Sequence, residues 1–150
     1  DGIRTTPFPP MEMCFVGSSK HHRKRRYDLA ELAANDLLTF QRGSQPHVSL
    51  LDLLKTRQIQ PRKVHTISSI SAMLQLVQGG FGVATLPKAA VSSLSDARDV
   101  KPLACTSALA PLPIYANYRL DPVALSSEKL LESASEFVGR QTRPSKKAMT

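Results

Sequence analysis

The chain has 150 residues, 41% hydrophobic and 21% charged, with a formal net charge of +8. That composition excludes a disordered chain and leaves room for one medium domain or parts of two small ones. No apolar run approaches the roughly 18 residues of a membrane span, and two cysteines, Cys14 and Cys105, cannot form a disulfide framework.

Residues 1–10 carry three prolines and no periodicity, which predicts extended chain. The sequence shows no signal peptide and opens on Asp1 without a methionine, so a fragment that starts inside a domain is expected. Met11–Val16 are apolar with loose alternation and predict a strand. The run Lys20–Arg26 holds five of the 20 basic residues, and Arg140, Arg143, Lys146 and Lys147 add four in the tail. No aromatic residue interleaves with either cluster to stack on bases. A solvated loop and a frayed tail are expected, with a phosphate-contacting patch as the alternative.

Tyr27–Asp36 predict a short helix capped by Asp28, with Glu31 three residues on as in a capping box. Leu37–Phe40 predict a buried strand. The next stretch turns and opens a helix with Leu50, Leu51, Leu53 and Leu54 on its packed side. Lys63–Ile67 form a β-branched strand, and Ser68-Ser69 a helix N-cap. Ile70, Met73, Leu74 and Val77 fall at i, i+3, i+4 and i+7, the stripe of an amphipathic helix, which Gly79 is expected to end as its left-handed residue. Phe81–Leu86 predict a buried strand, with Pro87 at the first position of the helix that follows. Residues 100–107 and 112–120 predict two more strands. Ser126-Ser127 are expected to cap a last helix with Leu130, Leu131, Ala134, Phe137 and Val138 on one face, ahead of a polar tail at 141–150. Alternation of this kind predicts an α/β fold with parallel strands.

Three strand-to-helix joints follow from this order, after Phe40, Ile67 and Leu86. In an open parallel sheet all three lie at the carboxyl edge, where ligands collect. Helix N-termini there present unpaired N–H groups and partial positive charge. Ser44, Ser68 and Ser69, with Thr66 just before, supply hydroxyls suited to a small anion such as a carboxylate. Ordinary structural roles stand beside this. One of Ser68 and Ser69 is needed as a helix cap whatever binds. Ser44 and Gln45 occupy a turn where polar residues are expected, and Arg42 is either a partner for an anion or a surface arginine. His65 reads as a satisfied structural histidine, and Thr85 and Pro87 as residues that shape their joint. Both cysteines read as buried free thiols, in keeping with a reducing, cytoplasmic setting.

Catalytic and metal patterns are lacking. Gly17-Ser18-Ser19 has no second glycine to make a nucleophile elbow. The four histidines have no metal-ligand spacing, and His21-His22 lie in a basic loop that repels divalent cations. Gly79–Gly82 end a helix and precede a strand, the reverse of a dinucleotide fingerprint. No catalytic residue, metal ligand or cofactor is expected, and the chain reads as non-enzymatic.

The stretches DLAELAANDLLTFQRGS (28–44), ISSISAMLQLVQGGFGVATLPKAAV (67–91) and LPIYANYRLDPVALSSEKLLESASEFV (112–138) together resemble the effector-binding domain of LysR-type transcriptional regulators. MEMCFVGSSKHHRKRR (11–26) is similar to that family's crossover strand and basic loop. The resemblance covers roughly residues 1–140 and rests on the order and spacing of the motifs. It implies a type II periplasmic-binding-protein-like α/β fold, with two subdomains, two crossover segments and a ligand cleft between the subdomains. On that reading 1–17 are part of the first subdomain with a crossover strand, and 18–109 are the complete second subdomain. Residues 110–140 are the return crossover and last helix of the first, and 141–150 a flexible tail. Most of the first subdomain and the N-terminal winged helix-turn-helix would lie outside this chain. DNA would then be contacted only there, and Met11–Val16 and Ile114–Tyr118 would be left with exposed partners.

The family's inducer positions carry over onto Ser44, Gln45, Thr66, Ile67, Ser68 and Ser69. The implied function is a cytoplasmic sensor that binds a small anionic metabolite, shifts its subdomains about a hinge and regulates transcription as a homo-oligomer, dimer or tetramer. The alternative is a solute-binding protein of a transport system with the same fold. A third reading is a nucleic-acid-binding module working through Lys20–Arg26.

Overall fold

A computed structural model describes residues 2–94, 99–120 and 125–141 of the chain. Strands β1 (Ile3–Met11), β2 (Met13–Ser18), β3 (Asp36–Thr39), β4 (Lys63–Thr66), β5 (Val83–Pro87), β6 (Val100–Leu103) and β7 (Leu112–Arg119) are accompanied by five helices. These are α1 (Leu29–Ala33), α2 (Gln45–Thr56), α3 (Ile70–Gln78), α4 (Lys88–Leu94) and α5 (Leu125–Gln141). The chain divides into two compact units, Met11–Leu112 and Asp1–Pro10 with Pro113–Thr150.

The larger unit is built on a five-stranded sheet in the order β4-β3-β5-β2-β6. β3 runs parallel to β4 and to β5, as the helical crossovers through α2 and α3 require. The expectation of parallel strands fails at β2, which runs antiparallel to both β5 and β6. The five residues of α1 span only about 8 Å, too little to carry the chain back along the sheet, so β2 is free to run the other way. Nor does β2 lack partners. Met13–Val16 pair with Pro87–Ala84 on one side, and Phe15–Ser18 with Leu103–Val100 on the other.

Alternation along the strands feeds two cores. Phe15, Leu37 and Val83 point to one face, where Tyr27, Leu29, Leu32, Leu50 and Leu54 cover them. Val16, Leu38 and Ala84 point to the other, beneath Met73, Leu74, Val77 and Val91. Burying each large apolar side chain contributes about 1.5–3 kcal/mol. α2 uses Leu50 and Leu54 fully, with Leu53 partly buried against them. Leu51 is 39% exposed, contrary to expectation, because it falls off the stripe set by its neighbours.

Local signals place the helix ends with two corrections. Glu31 Oε2 accepts the Asp28 N–H at 3.0 Å, as the capping-box spacing predicts. Gly79, however, is right-handed (φ −72°), and the left-handed residue is Gly80 (φ +81°). Pro87 is the last residue of β5, paired with Met13, so α4 opens at Lys88.

In the smaller unit β1 and β7 form a two-stranded sheet. Residues 1–10, expected as extended chain, thus supply most of a strand. Proline is tolerated where the missing N–H would face outward from an edge. Leu120 N–H donates to the Gly2 carbonyl at 2.7 Å, and Thr5 Oγ1 to Asn117 Oδ1 at 2.8 Å. Ser126 and Ser127 lie inside α5 rather than before it. Of its expected apolar face, Leu131, Ala134 and Val138 are half-buried, whereas Leu130 and Phe137 are exposed. The expected flexible tail lies, beyond Gln141, outside the described residues. No described helix is long and apolar enough to cross a membrane.

Candidate functional site

Because β3, β4 and β5 are parallel, their carboxyl ends finish on one edge of the sheet. Thr39 stands opposite Thr66, and Thr85 follows the Leu38–Ala84 pair on β5. The Ile67 N–H donates to the Thr39 carbonyl at 2.8 Å. The Thr85 hydroxyl donates to Thr39 Oγ1 at 2.9 Å, out of contact with solvent. These bonds hold the joints after Phe40 and Ile67 side by side.

A cavity of about 330 Å³ opens at this edge, lined by Phe40, Gln41, Ser44, Pro46, Ser68 and Leu112. That volume is at the small end of the range for ligand sites. Ser44 Oγ is buried and has no hydrogen-bond partner, alone in this among the described residues. The local sequence accounts for part of this. Ser44 is the N-cap residue of α2, and Pro46 in the first turn has no N–H to offer, which leaves only that of His47, and the hydroxyl does not take it. The hydroxyl makes no capping bond, and leaving it unpaired costs about 1–3 kcal/mol. Ser68 is released for a different reason. Ser69 accepts the Ala72 N–H at 3.2 Å and so does the capping of α3.

Two hydroxyls therefore face a cavity flanked by the N-termini of α2 and α3, whose first N–H groups have no intrahelical partner. No charged side chain lines it. Arg42, next to Gln41, is exposed. The 41–44 turn is closed by the Ser44 N–H on the Gln41 carbonyl at 3.0 Å, with Gly43 at φ +81°, a conformation that favours glycine.

The other expected site residues have other employment. Gln45 Nε2 donates to Ser49 Oγ at 3.0 Å along α2. Ile67 packs its side chain against the core that holds Leu38 and Met73, and its N–H is taken by Thr39. Thr66 is exposed. Of the six positions, the cavity brings together Ser44 and Ser68 and adds Gln41, Phe40, Pro46 and Leu112. Ser44 is expected from its turn and from the resemblance; the proline two residues on is a further signal, outside that expectation, that one capping N–H is missing. Nothing local marks Leu112, which reaches the cavity from the end of the unit. His65 bonds through Nε2 to Asp36 Oδ2 at 3.2 Å and packs edge-on against Phe81, so it is a structural histidine.

A larger cavity, about 410 Å³, lies between β2, β6 and the start of α4, with Glu12, Cys14, Phe15, Lys88, Leu103 and Cys105 among its lining. It is the less equipped of the two. Its charged groups satisfy each other, Lys88 Nζ meeting Glu12 Oε1 at 3.3 Å. Burial pushes the Cys14 thiol up to about 11, against the opposing charge of Lys88, so it stays protonated near neutrality. Among the described residues no three His, Cys, Asp or Glu side chains gather as a metal site would require.

The family model described as the LysR substrate binding domain matches residues 1–133. No curated protein matches the chain in sequence. Solved structures with a similar fold include the CcmR regulatory domain of Synechocystis PCC6803 in complex with 2-PG, with a TM-score of 0.75 at 14% identity, covering 91% of this chain and 67% of that one. The effector-binding domain of QuiR in complex with shikimate gives 0.70 at 20% identity, covering 93% and 66%. HinK, a LysR family transcriptional regulator from Pseudomonas aeruginosa, gives 0.74 at 17% identity, covering 94% and 50%. The chain thus spans about two thirds of the regulatory domains and half of the longer regulator. It shares their mixed α/β, periplasmic-binding-protein-like fold.

Proposed function

This chain belongs to the LysR substrate-binding domain family, and from that premise we propose that it is the ligand-sensing part of a cytoplasmic, homo-oligomeric transcriptional regulator, not an enzyme. Its ligand is a small organic anion, and ligand occupancy alters how the whole regulator acts on DNA. The observation that carries this reading is Ser44 Oγ, a buried hydroxyl with no partner on the wall of a cavity of ligand size. A carboxylate oxygen placed there accepts from Ser44 and Ser68 and lies near the N-termini of α2 and α3, where negative charge is favoured. Phe40, Pro46 and Leu112 supply apolar walls for the ligand's body. The similar QuiR domain is in complex with shikimate and a BenM domain with benzoate, both carboxylates, which supports the choice of anion.

The test is a thermal-shift screen of the chain against small carboxylic acids, followed by titration of the best hit. Ser44→Ala should weaken that hit by a factor of about ten, the loss of one hydrogen bond to a charged group. Unchanged affinity in a Ser44→Ala/Ser68→Ala double variant overturns the assignment of the site.

A further inference from the structure

The loop joining β2 to α1 carries Lys20, Arg23, Lys24, Arg25 and Arg26 within seven residues, and it is anchored at both ends and at Lys24. Ser18, buried at its root, accepts on its carbonyl from the N–H groups of His21 and His22 at 3.2 and 2.9 Å, and on its hydroxyl from Lys20 N–H at 3.3 Å. The His22 ring is buried edge-on against Tyr27. The Tyr27 hydroxyl accepts the Lys24 N–H at 3.0 Å, and its backbone bonds to Ala104 and Thr106 at 2.8 and 2.9 Å. His21 and His22 lie so close to Gly80 and Gly17 that a Cβ on either glycine would approach a ring atom to 2.7 Å. The solvated-loop expectation therefore holds for the basic side chains of this segment and not for the buried His22 or for the anchored ends of its backbone.

Two of the five cations are neutralised locally, Lys20 by Asp99 at 2.7 Å and Lys24 by Glu31. Arg25 and Arg26 are exposed and form no ion pair with a described residue. Arg23 Nε meets the Lys20 carbonyl at 3.3 Å rather than an acid. Three guanidinium groups thus project from a loop held on either side by Ser18, Lys24 and Tyr27, which lowers the backbone share of the ordering cost of binding. The residues from 20 to 26 include no Met, Phe, Tyr or Trp, so of the side chains that anchor protein interfaces the segment offers arginine alone, without an apolar centre. Nor does the segment itself carry a Phe, Tyr or Trp ring to stack on unpaired bases. A run of phosphates asks only for such cations, and the planar guanidinium fits them with two bonds.

We propose that Arg23, Arg25 and Arg26 form a docking surface for the phosphate backbone of duplex DNA, independent of base sequence and separate from the ligand cavity. The test is fluorescence anisotropy of the chain with a labelled duplex of arbitrary sequence as KCl is raised. Three phosphate contacts give a slope of about −2.7 in log K against log salt, a loss of about 40-fold between roughly 50 and 200 mM. Both Arg23→Gln/Arg25→Gln/Arg26→Gln and the milder Arg25→Gln/Arg26→Gln should weaken binding and flatten the slope, with circular dichroism unchanged. Glutamine at Arg140, Arg143, Lys146 and Lys147 should leave the loop's share of the slope in place. Duplex binding that survives the triple substitution, or that is lost with the tail substitutions alone, overturns the proposal. So does poly-L-glutamate binding to the loop more tightly than the duplex, which would mark an acidic protein as the partner.

Discussion

Thr85 donates its hydroxyl hydrogen to Thr39 Oγ1 at 2.9 Å, and neither side chain is more than 1% exposed. The bond ties the middle of β5 to the end of β3, immediately behind the joint that presents Phe40 and Gln41. Thr85→Val keeps the shape but leaves a buried hydroxyl without its donor, at a cost of about 1–2 kcal/mol. Thr39→Val/Thr85→Val removes both groups and should cost less than either single change. Urea denaturation of the three variants measures this, and strictly additive losses would mean that the bond contributes nothing.

Ser44 and Ser69 should separate capping from sensing. Ser69→Ala loses the bond to the Ala72 N–H and should destabilise by about 1 kcal/mol with ligand response retained. Ser44→Ala removes a buried hydroxyl that caps nothing, so stability should hold or rise while the response to ligand falls. Chemical denaturation and ligand titration on both variants read the two effects independently.

The His22 imidazole is held below its ordinary value of 6.5, first by burial and then by the positive charges of His21 and Lys101. Hydrogen bonds to the Ser18 carbonyl and the Asn35 side chain oppose the shift. The unfolded chain therefore takes up the proton before the folded one does. Stability from this group is fully present above pH 6.5 and is lost as pH falls from there toward the depressed folded value, at a limiting slope of about 1.4 kcal/mol per pH unit. His22→Gln, which carries no titrating group, should flatten stability between pH 5 and 7 (roughly the histidine range), as followed by urea midpoints.

Gly82 is needed for a close approach. A Cβ built there would stand 2.1 Å from the Asp36 carbonyl oxygen, and backbone cannot swing aside as a side chain can. Gly82→Ala should cost more than about 2 kcal/mol or force β3 and β5 apart. Gly43→Ala meets open space and bears only the penalty of its positive φ, so its melting temperature should drop much less.

What could be read from residue order depended on the physics behind each signal. Helix stripes and caps are local, and α1 and α3 follow from Asp28, Glu31, Met73, Leu74 and Val77. Strand direction is not encoded in alternation, so nothing in Met13–Ser18 says that β2 runs against β5. Gly79-Gly80 announces a helix end without saying which glycine turns left-handed, because either can. Ser68-Ser69 poses the same ambiguity, and the spacing to Ala72 decides it. Ser44 follows from its turn and the resemblance, but that its hydroxyl is unpaired was not legible, since Pro46 removes only one of the two N–H groups it could cap. Nor was Leu112, since only the fold brings it beside Phe40.

The position of β2 bears on how the chain reaches its fold. Met13 pairs with Pro87 and Ser18 with Val100, so the strand made earliest in the larger unit must wait for the last two before its backbone is paired. Until then Met13, Phe15 and Val16 form an open, apolar ribbon, the kind that recruits neighbouring chains. Such long-range closure is slow, and production yield should depend on dilution and on holdase chaperones more than on equilibrium stability.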